Sequence, residues 1–262
     1  MTELGREAMK KRLLSTVVVS SLLLCISYNA RAQNEVTIIA PGDMRAVLDR
    51  LSPGFESKTG HKMKATIGSG LATKKQVIQG DAFDVVIVQP PLPEVISSGN
   101  VVASTQKPIA TVAVGVAVRK GAPEPDISTP DAVKKMLLAT KSITYPDSTR
   151  GAAAGVTLDE MFKTLGIADQ MQAKVKRVQG VGPAALVSRG DAEICLTFLS
   201  EVDDPGVEIV GPLPPSIAKI TALVGFVSTH AKDPASAKAL LDYISSPEAA
   251  ADYKAVKMEP SR

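Results

Sequence analysis

The chain has 262 residues, of which 45% are apolar, 22% are charged and only 3% are aromatic, with no tryptophan and a formal net charge of +3. The scarcity of aromatic rings argues against a carbohydrate binder, which would stack sugars on ring faces. Residues 1–32 contain five basic and two acidic residues, so the rest of the chain has 25 of each and is neutral. A neutral chain gives no electrostatic reason to expect a nucleic acid or a membrane surface as partner.

The N-terminus has the three parts of a secretory signal peptide. A basic run at residues 9–12 precedes an uncharged apolar run at residues 13–26, and Ala30-Arg31-Ala32 supplies a small-residue cleavage pattern. We therefore predict a signal peptide over residues 1–32 and a periplasmic mature protein. The first and the second methionine are both open as the start. No later run reaches the ~20 apolar residues that a membrane-spanning helix needs.

From residue 33 onward, short β-branched runs alternate with helical segments. This pattern is typical of a largely parallel sheet covered by helices, so the predicted fold class is α/β. Nine strands are predicted, at residues 36–40, 62–67, 84–88, 111–118, 142–144, 174–178, 193–197, 208–210 and 220–228.

The first predicted helix covers residues 43–57 and has one apolar face. That face is formed by Met44, Val47, Leu48, Leu51 and Phe55. Pro53 is expected to kink the helix near its end, because proline lacks an N–H and clashes with the preceding turn. Three later helices carry strong start signals, in which a capping side chain precedes proline: Thr129-Pro130, Asp233-Pro234 and Ser246-Pro247.

Two long strand-like runs, at residues 111–118 and 221–227, each contain a glycine near the middle. If the chain leaves a first lobe and later returns to it through these runs, both cross between two lobes and act as a hinge. This interpretation predicts one lobe of residues 33–110 plus 222–262 and a second lobe of residues 111–221. The alternative is that both runs are ordinary core strands of a single domain.

A Gly-Ser turn joins the predicted strand that ends at Ile67 to an amphipathic helix. Ser69 stands at the N-cap position of that helix. Its hydroxyl and the free backbone N–H groups that begin with Gly70 would therefore favour an anion. The alternative is that Gly68-Ser69-Gly70 is only a connector, because short glycine motifs often occur without a function.

Four such turns follow predicted strands and open predicted helices, at residues 40–43, 67–70, 147–151 and 179–183. In open α/β sheets, ligands bind outside the carboxyl ends of the strands. Four positive helix ends at one cleft would bind an anion without a net positive charge on the protein. The alternative is that all four are ordinary capped turns.

Three side chains near these turns have two open interpretations each. Arg150 either grips a carboxylate or an oxyanion in a bidentate fork or is a solvated arginine at a helix start. Asp43 either caps its helix or pairs with Arg150 across the cleft. Phe198 either walls the pocket or is a buried core aromatic.

The sequence offers few combinations of residues that could act together in catalysis. The two histidines, His61 and His230, have no nucleophile nearby in sequence and, without a cysteine pair, no metal-ligand spacing. Cys195 is the one cysteine after the leader, so no intramolecular disulfide is expected, and its apolar strand indicates an inert core thiol. We therefore expect no catalytic residues, no metal and no cofactor, and predict that the protein is not an enzyme.

Six segments of the chain form a recognisable set: Leu51-Ser52-Pro53-Gly54-Phe55-Glu56 with Thr59-Gly60-His61-Lys62, Gly68-Ser69-Gly70-Leu71, Gly80 with Asp84-Val85-Val86-Ile87, Gly190-Asp191-Ala192-Glu193-Ile194, Gly206-Val207-Glu208-Ile209-Val210-Gly211-Pro212-Leu213-Pro214, and Ser245-Ser246-Pro247-Glu248-Ala249-Ala250. Through them, residues 36–260 resemble the periplasmic solute-binding proteins of ABC importers, in the molybdate-binding-protein-like group. The resemblance implies the type II periplasmic binding protein fold, in which two α/β lobes joined by paired crossover strands hold a ligand between them.

Molybdate binders of this group hold the oxyanion with neutral donors: a serine at the first helix start, a serine before glycine at the second, backbone N–H groups from the other lobe and a late tyrosine. Here Ser69 matches the second serine, whereas Gly42 stands at the first position and Phe198 at the tyrosine. The turn Thr149-Arg150-Gly151 adds a charge. The resemblance implies an anion binder, and the missing hydroxyls together with the arginine favour an organic carboxylate over molybdate.

The predicted ligand-binding residues lie at the four turns and after a later strand: Gly42, Asp43, Ser69, Gly70, Thr149, Arg150, Gly151, Gly182 and Phe198. We predict a monomeric periplasmic component of an ABC importer. It captures a small anionic solute between two lobes and presents the closed form to a membrane permease. The alternatives are a secreted hydrolase or isomerase, and a sensor module that presents its ligand to a signalling receptor.

Overall fold

The computed structural model of this protein describes residues 35–180 and 182–261, so the predicted signal peptide lies outside the described residues. Eleven strands run through the described part: β1 (Glu35–Pro41), β2 (Lys62–Gly68), β3 (Val85–Val88), β4 (Lys107–Val112), β5 (Val114–Arg119), β6 (Ile143–Pro146), β7 (Val175–Val178), β8 (Ile194–Phe198), β9 (Val207–Pro212), β10 (Thr221–Val227) and β11 (Met258–Pro260). Its α-helices are α1 (Arg45–Thr59), α2 (Gly70–Gln79), α3 (Pro93–Ser97), α4 (Pro130–Ala139), α5 (Ala153–Thr164), α6 (Ala168–Gln172), α7 (Pro183–Arg189), α8 (Pro234–Ile244) and α9 (Ala250–Ala255).

The strands form two mixed sheets. The first has the order β11-β4-β10-β3-β1-β2, and the second has the order β7-β6-β8-β5-β9. In the first sheet β1 runs parallel to β2 and β3, while β10 runs antiparallel to β3 and β4. In the second sheet β6 runs parallel to β7 and β8, while β5 runs antiparallel to β8 and β9. The parallel strands of each sheet therefore end on turns that lie at one edge, where α/β proteins bind ligands.

Eight of the nine predicted strands are present with ends that differ by at most two residues. The short strand β11 was missed; it contains only three residues and includes Pro260. Proline cannot donate to a sheet ladder, so its presence argues against a strand except at an edge. β11 is such an edge strand, because it pairs only with β4 at the end of the first sheet.

The run at residues 111–118, predicted as one strand, is divided between the two sheets. β4 ends at Val112 in the first sheet and β5 begins at Val114 in the second, with Ala113 between them. Thr221 of β10 pairs with Val112, so the two long runs meet where the chain changes sheet. The prediction of a continuous strand was wrong because Ala113 carries no turn signal. The hinge role and the lobe limits stay predictions.

The first helix begins as a 3-10 turn at Gly42–Met44 and continues as α1 to Thr59. All five residues predicted for its apolar face are buried. Helix α1 continues through Pro53 and is followed by Gly60, whose φ of 75° is left-handed. The kink expected at Pro53 stays a prediction.

Two of the three predicted helix caps are formed. The side chains of Thr129 and Asp233 each accept a hydrogen bond from a backbone N–H at the start of α4 and α8, over 3.1 and 3.0 Å. The prediction for Ser246 was wrong. A helical segment does begin there, as the 3-10 turn Pro247–Ala249 that continues into α9, but the buried Ser246 Oγ has no hydrogen-bond partner in the part of the chain that the structure describes, so the cap is not formed.

One large cluster of buried apolar side chains extends through both sheets. It includes Ile38 of β1 and Leu48 of α1, and also Leu137 of α4 and Leu158 of α5, all at most 1% exposed. Close packing of this kind resists displacement, so it fixes the strand ends from which the site is built. Across residues 35–180 and 182–261, no helix is long and apolar enough to cross a membrane.

Candidate functional site

Two adjoining cavities lie where turns from both sheets meet. The inner cavity, of about 60 Å³, is lined by the turns after β1 and β2, the start of α5 and the segment after β8. The outer cavity, of about 540 Å³, is lined by the turns after β6 and β7 and the start of α7. Both are bordered by Ser69, Pro146, Ala152 and Glu201. The outer cavity has a volume within the range of roughly 300–1,000 Å³ that is usual for small-molecule sites.

Seven of the nine predicted site residues line one or both of these cavities: Gly42, Asp43, Ser69, Gly70 and Phe198 the inner one, and Ser69, Arg150 and Gly182 the outer one. Thr149 and Gly151 lie on the same turn as Arg150 but line neither cavity. Phe198 is only 2% exposed, so it is both a cavity wall and a core aromatic. The fold brings the four predicted turns together, and their role as ligand contacts stays a prediction.

Ser69 links the turn after β2 to the turn after β6. Its Oγ accepts a hydrogen bond from the backbone N–H of Ala72 over 3.2 Å, which is the predicted cap of α2. The same hydroxyl donates to the backbone oxygen of Arg150 over 3.1 Å. Beside it, the backbone N–H of Leu71 donates to the oxygen of Gly151 over 3.2 Å. Two hydrogen bonds therefore join turns from different sheets at the edge of the cavities.

Both interpretations of Asp43 from the sequence were wrong. Asp43 lies inside the 3-10 turn Gly42–Met44, whose N-cap is Pro41, so it does not cap a helix. It also does not pair with Arg150, which is exposed on the wall of the outer cavity and forms no ion pair among the described residues. Its side chain faces Gln89 instead. The arginine is therefore free of the carboxylate expected to compete with an anionic ligand.

Asp43 is a buried acid at the inner cavity, with an exposed fraction of 1%. Gln89 Nε2 donates to its Oδ2 over 2.7 Å, while its Oδ1 has no hydrogen-bond partner in the described part of the chain. Burial and, to a smaller extent, the negative charge of Glu201 raise the pKa of Asp43 from 3.8 to about 7, while the hydrogen bond from Gln89 and smaller contributions from the backbone N–H groups of Asp43 and Met44 oppose them. A buried carboxyl group of this kind is poised between its neutral and charged forms near neutral pH.

Glu201 is a second acid, which borders both cavities and which the sequence reasoning missed. Thr197 Oγ1 donates to its Oε2 over 2.6 Å. Burial raises the pKa of Glu201, the Thr197 hydrogen bond lowers it, and the charge of Asp203 raises it. Glu201 follows β8 by only three residues, so the strand-end argument used for the other turns was a signal that could have found it.

Gly42 leaves the space that Glu201 occupies. A Cβ atom built on Gly42 would lie 3.0 Å from Glu201 Oε1, which is tighter than ordinary van der Waals contact. A serine side chain at this position therefore does not fit unless Glu201 moves. The hydroxyl that the family resemblance expects here is replaced by a carboxyl group that comes from the other sheet.

Gly70 has a similar role for Gln89. A Cβ atom on Gly70 would lie 2.3 Å from Gln89 Oε1, so only glycine permits the observed position of this amide. Gln89 directly follows β3 and is 7% exposed. The sequence analysis also missed Gln89, although this residue follows the end of a strand as the predicted site residues do. Gly70 thus supports Asp43 indirectly, through the amide that holds Oδ2.

Hydrogen bonds fix the 3-10 turn Ser148–Arg150, which follows β6. Asp147 accepts bonds from the backbone N–H and the hydroxyl of Thr149, over 2.9 and 2.8 Å, and from Gln179 Nε2 over 2.6 Å. Asp159 of α5 accepts a hydrogen bond from the hydroxyl of Ser148, the first residue of the turn. These bonds hold the backbone that presents the guanidinium to the outer cavity.

The nucleophiles and imidazoles considered in the sequence lie elsewhere. His61 contacts Ser236 and His230 contacts Asn100, and neither histidine lines a cavity described above. Cys195 is buried, and burial together with the charge of Glu201 raises the pKa of its thiol far above the usual value. No group of three or more potential metal ligands occurs within residues 35–180 and 182–261. The chemistry available at the cavities comes from hydrogen-bond donors, one guanidinium and three carboxyl groups, those of Asp43, Asp147 and Glu201.

The sequence matches a family described as bacterial extracellular solute-binding proteins over residues 36–255. It is 30% identical over 247 residues to an aconitate isomerase from a Pseudomonas species, covering 90% of this chain and 93% of that protein. It is 27% identical over 252 residues to the molybdate-binding protein ModA of Azotobacter vinelandii, covering 92% and 96% of the two chains.

The fold is similar to that of solved binding proteins. The periplasmic molybdate-binding protein of Azotobacter vinelandii superposes with a TM-score of 0.71 and 18% sequence identity, over 87% of this chain and 100% of that one. The predicted fold class, the type II periplasmic binding protein fold, is thereby confirmed.

Proposed function

This chain belongs to the bacterial extracellular solute-binding proteins, and from that premise we propose that it captures a small organic polycarboxylate in the two cavities. It acts in the periplasm, and an ABC permease receives the ligand from the closed form. The observation that carries the choice of ligand is the pair of carboxyl groups, Asp43 and Glu201, that borders the inner cavity where neutral hydroxyl donors were expected.

A carboxylate ligand suits this site better than molybdate does. Molybdate concentrates two negative charges on one small ion, which would lie beside the carboxyl groups of Asp43 and Glu201, whereas a polycarboxylate separates its charges along a carbon chain. A polycarboxylate can accept a hydrogen bond from a protonated Asp43 at one end and from Arg150 at the other. The relative named aconitate isomerase, whose substrate has three carboxyl groups, supports the same ligand class.

Arg150 supplies the charge complement at the outer cavity. Its guanidinium can bind a carboxylate in a bidentate fork, and it has no acidic partner among the described residues that would have to be displaced. The backbone N–H groups at the starts of α2 and α5 add partial positive charge near the boundary between the cavities. Capture then proceeds as the hinge at the crossover strands closes the second lobe onto the bound ligand.

A second candidate function is isomerisation of the bound polycarboxylate. It is favoured by the 30% identity to an aconitate isomerase and by the carboxyl groups with raised pKa values, which a purely anion-binding site does not need. A sensor module, the other alternative, differs from the importer only in the partner protein that binds the closed form. Genes for a permease and an ATPase beside this one would favour the importer.

A thermal-shift panel tests the proposed ligand class. The protein, expressed from its full sequence, is melted at pH 7 with cis-aconitate, trans-aconitate, citrate, molybdate, tungstate, sulfate and phosphate. A ligand at ~100 times its Kd stabilises the folded state by ~2.7 kcal/mol, which gives a clear shift of Tm. We expect shifts with the polycarboxylates. A shift with molybdate but with no polycarboxylate would refute the proposal.

A further inference from the structure

We propose that Asp43 and Glu201 form an acid–base pair that moves a proton between two carbon atoms of a bound unsaturated polycarboxylate. Asp43 is the acid that gives the proton, and Glu201 is the base that removes one. This role rests on the proposed function, because the ligand must first bind in the two cavities. It would make the protein an isomerase for ligands such as aconitate as well as a binding protein.

The geometry of Asp43 fits a proton donor. Its Oδ2 is occupied by the hydrogen bond from Gln89, so a proton on the carboxyl group resides on Oδ1. Oδ1 is buried without a protein partner in the described part of the chain, on a residue that lines the inner cavity. An unpaired buried carboxyl oxygen is costly unless a ligand completes its hydrogen bonding. A ligand seated in the inner cavity is the partner that this atom lacks.

The geometry of Glu201 fits a base. It borders both cavities, so a ligand that extends from one into the other passes its carboxyl group. Thr197 donates to Oε2 and thereby favours the charged form, while Oε1 points towards the backbone of Gly42, beside the acid. Among catalytic sites, two carboxyl groups in one enclosed place divide the roles of acid and base because both cannot ionise together.

The charged and titratable groups that face this pair come from several elements. Cys195 of β8 lies close enough for Glu201 to raise the pKa of its thiol, and Asp203 raises the pKa of Glu201. Arg150 and Asp147 line the outer cavity together with Glu201. The pair holds one proton in the active form, and the raised pKa of Asp43 assigns that proton to it.

The proposed reaction balances without a cofactor or a redox partner. Aconitate has a methylene group next to its carbon–carbon double bond. Glu201 removes a methylene proton, the C–H electron pair becomes the new double bond, and the electrons of the old double bond take the proton of Asp43. The two ends of the carbon chain exchange their roles, so the product is again aconitate, and the rotamer held in the cavities decides between cis and trans. A proton then passes from Glu201 to Asp43, which restores the starting protonation state of the pair.

The test follows isomerisation and binding separately. The protein, expressed from its full sequence, is incubated with cis- or trans-aconitate in D₂O at neutral pH and followed by proton NMR, and binding is measured by calorimetry. We expect the wild type to interconvert the isomers with incorporation of deuterium next to the double bond. Asp43→Asn and Glu201→Gln should each slow this at least ~100-fold, the usual loss for a general acid or base, with Kd changed less than about tenfold. Asp49→Asn, an exposed acid of α1, is the matched control and should isomerise at the wild-type rate.

Each failure has a distinct meaning. A wild type that binds aconitate but neither interconverts its isomers nor incorporates deuterium overturns the isomerase role and leaves the proposed binding function intact. A wild type that binds no polycarboxylate overturns the proposed function itself. Isomerisation at the wild-type rate in both substituted variants overturns the assignment to these two residues. Should either variant fail to fold, the wild-type pH profile decides: a bell shape supports the acid–base pair, and a flat profile refutes it.

Discussion

The inner and outer cavities lie side by side, yet only the outer one is lined by a positively charged side chain. The inner cavity is lined by the buried Asp43 and by Glu201, whereas the exposed Arg150 lines the outer cavity together with Asp147 and Glu201. A guanidinium is a fixed positive charge in proteins. Burial instead makes the carboxyl group exchange its charge near neutral pH. The outer cavity therefore offers an anion one guanidinium, on a wall shared with Asp147 and Glu201, while the inner cavity responds to protonation.

The largest expected effect is on the pH dependence of stability, and it tests whether the inner cavity responds to protons as described. Between pH 3.8 and about 7 the folded state binds the Asp43 proton and the unfolded state releases it. The associated stability is thus complete below pH 3.8 and is lost as the pH rises through about 7. The loss is on the order of 4 kcal/mol, from 1.36 kcal/mol per unit of pKa.

Asp43→Asn should remove this loss, so its free energy of unfolding without ligand should exceed that of the wild type at pH 8. Urea denaturation of both proteins at pH 4.5, 6, 7 and 8 measures the difference. Equal pH dependence in the two proteins would contradict the raised pKa of Asp43. Asp49→Asn is again the control, because Asp49 is exposed and should leave the pH dependence unchanged.

The next effect concerns the support of the inner cavity. Gly70→Ala places a Cβ atom 2.3 Å from the present position of Gln89 Oε1, so the amide must move and weaken its bond to Asp43. We expect a loss of stability of about 1–3 kcal/mol, as for other overpacked sites. Gly182→Ala is a matched control, since among the described residues no atom beyond its chain neighbours lies within 4 Å of its added Cβ, and its φ of −62° suits alanine. Chemical denaturation of both variants tests this, and equal midpoints would contradict the close approach.

The outer cavity is tested by Arg150→Ala. Because Arg150 is exposed and unpaired in the described part of the chain, its loss should change stability by less than ~0.5 kcal/mol. The Kd for a polycarboxylate should rise about tenfold, which corresponds to about 1.4 kcal/mol. Calorimetry at low and high salt measures this, with Arg50→Ala as the control, because Arg50 lines neither cavity. An unchanged Kd would show that the charge of Arg150 does not contribute to ligand binding at the outer cavity.

The smallest effect concerns Ser69, which borders both cavities. Ser69→Ala removes the cap of α2 and the bond to the backbone oxygen of Arg150, at a cost of about 1 kcal/mol in stability. Thr129→Ala removes a similar cap from α4, away from the site, and should cost about the same. Only Ser69→Ala should also weaken polycarboxylate binding in calorimetry. Equal binding by both variants would show that the hydroxyl acts only as a cap.

Much of the fold was predictable because its signals are local. Strand periodicity located eight of nine predicted strands within two residues, and the turn after β2 formed the predicted cap at Ser69. The division at Ala113 was missed, because the neighbouring pattern is the same whether a strand stays in one sheet or passes to another. Strand pairing depends on distant residues that no local window contains.

At the candidate site, the sequence by itself determined that turns at strand ends would converge and that Gly42 and Phe198 lack the hydroxyls of molybdate binders. Only the tertiary structure decided the charge there. It separated Asp43 from Arg150 and brought Glu201 from the other sheet into the space left by Gly42. A residue's type and neighbours in sequence follow from the chain alone. The burial and the electrostatic partner that shift its pKa arise only when distant segments pack together.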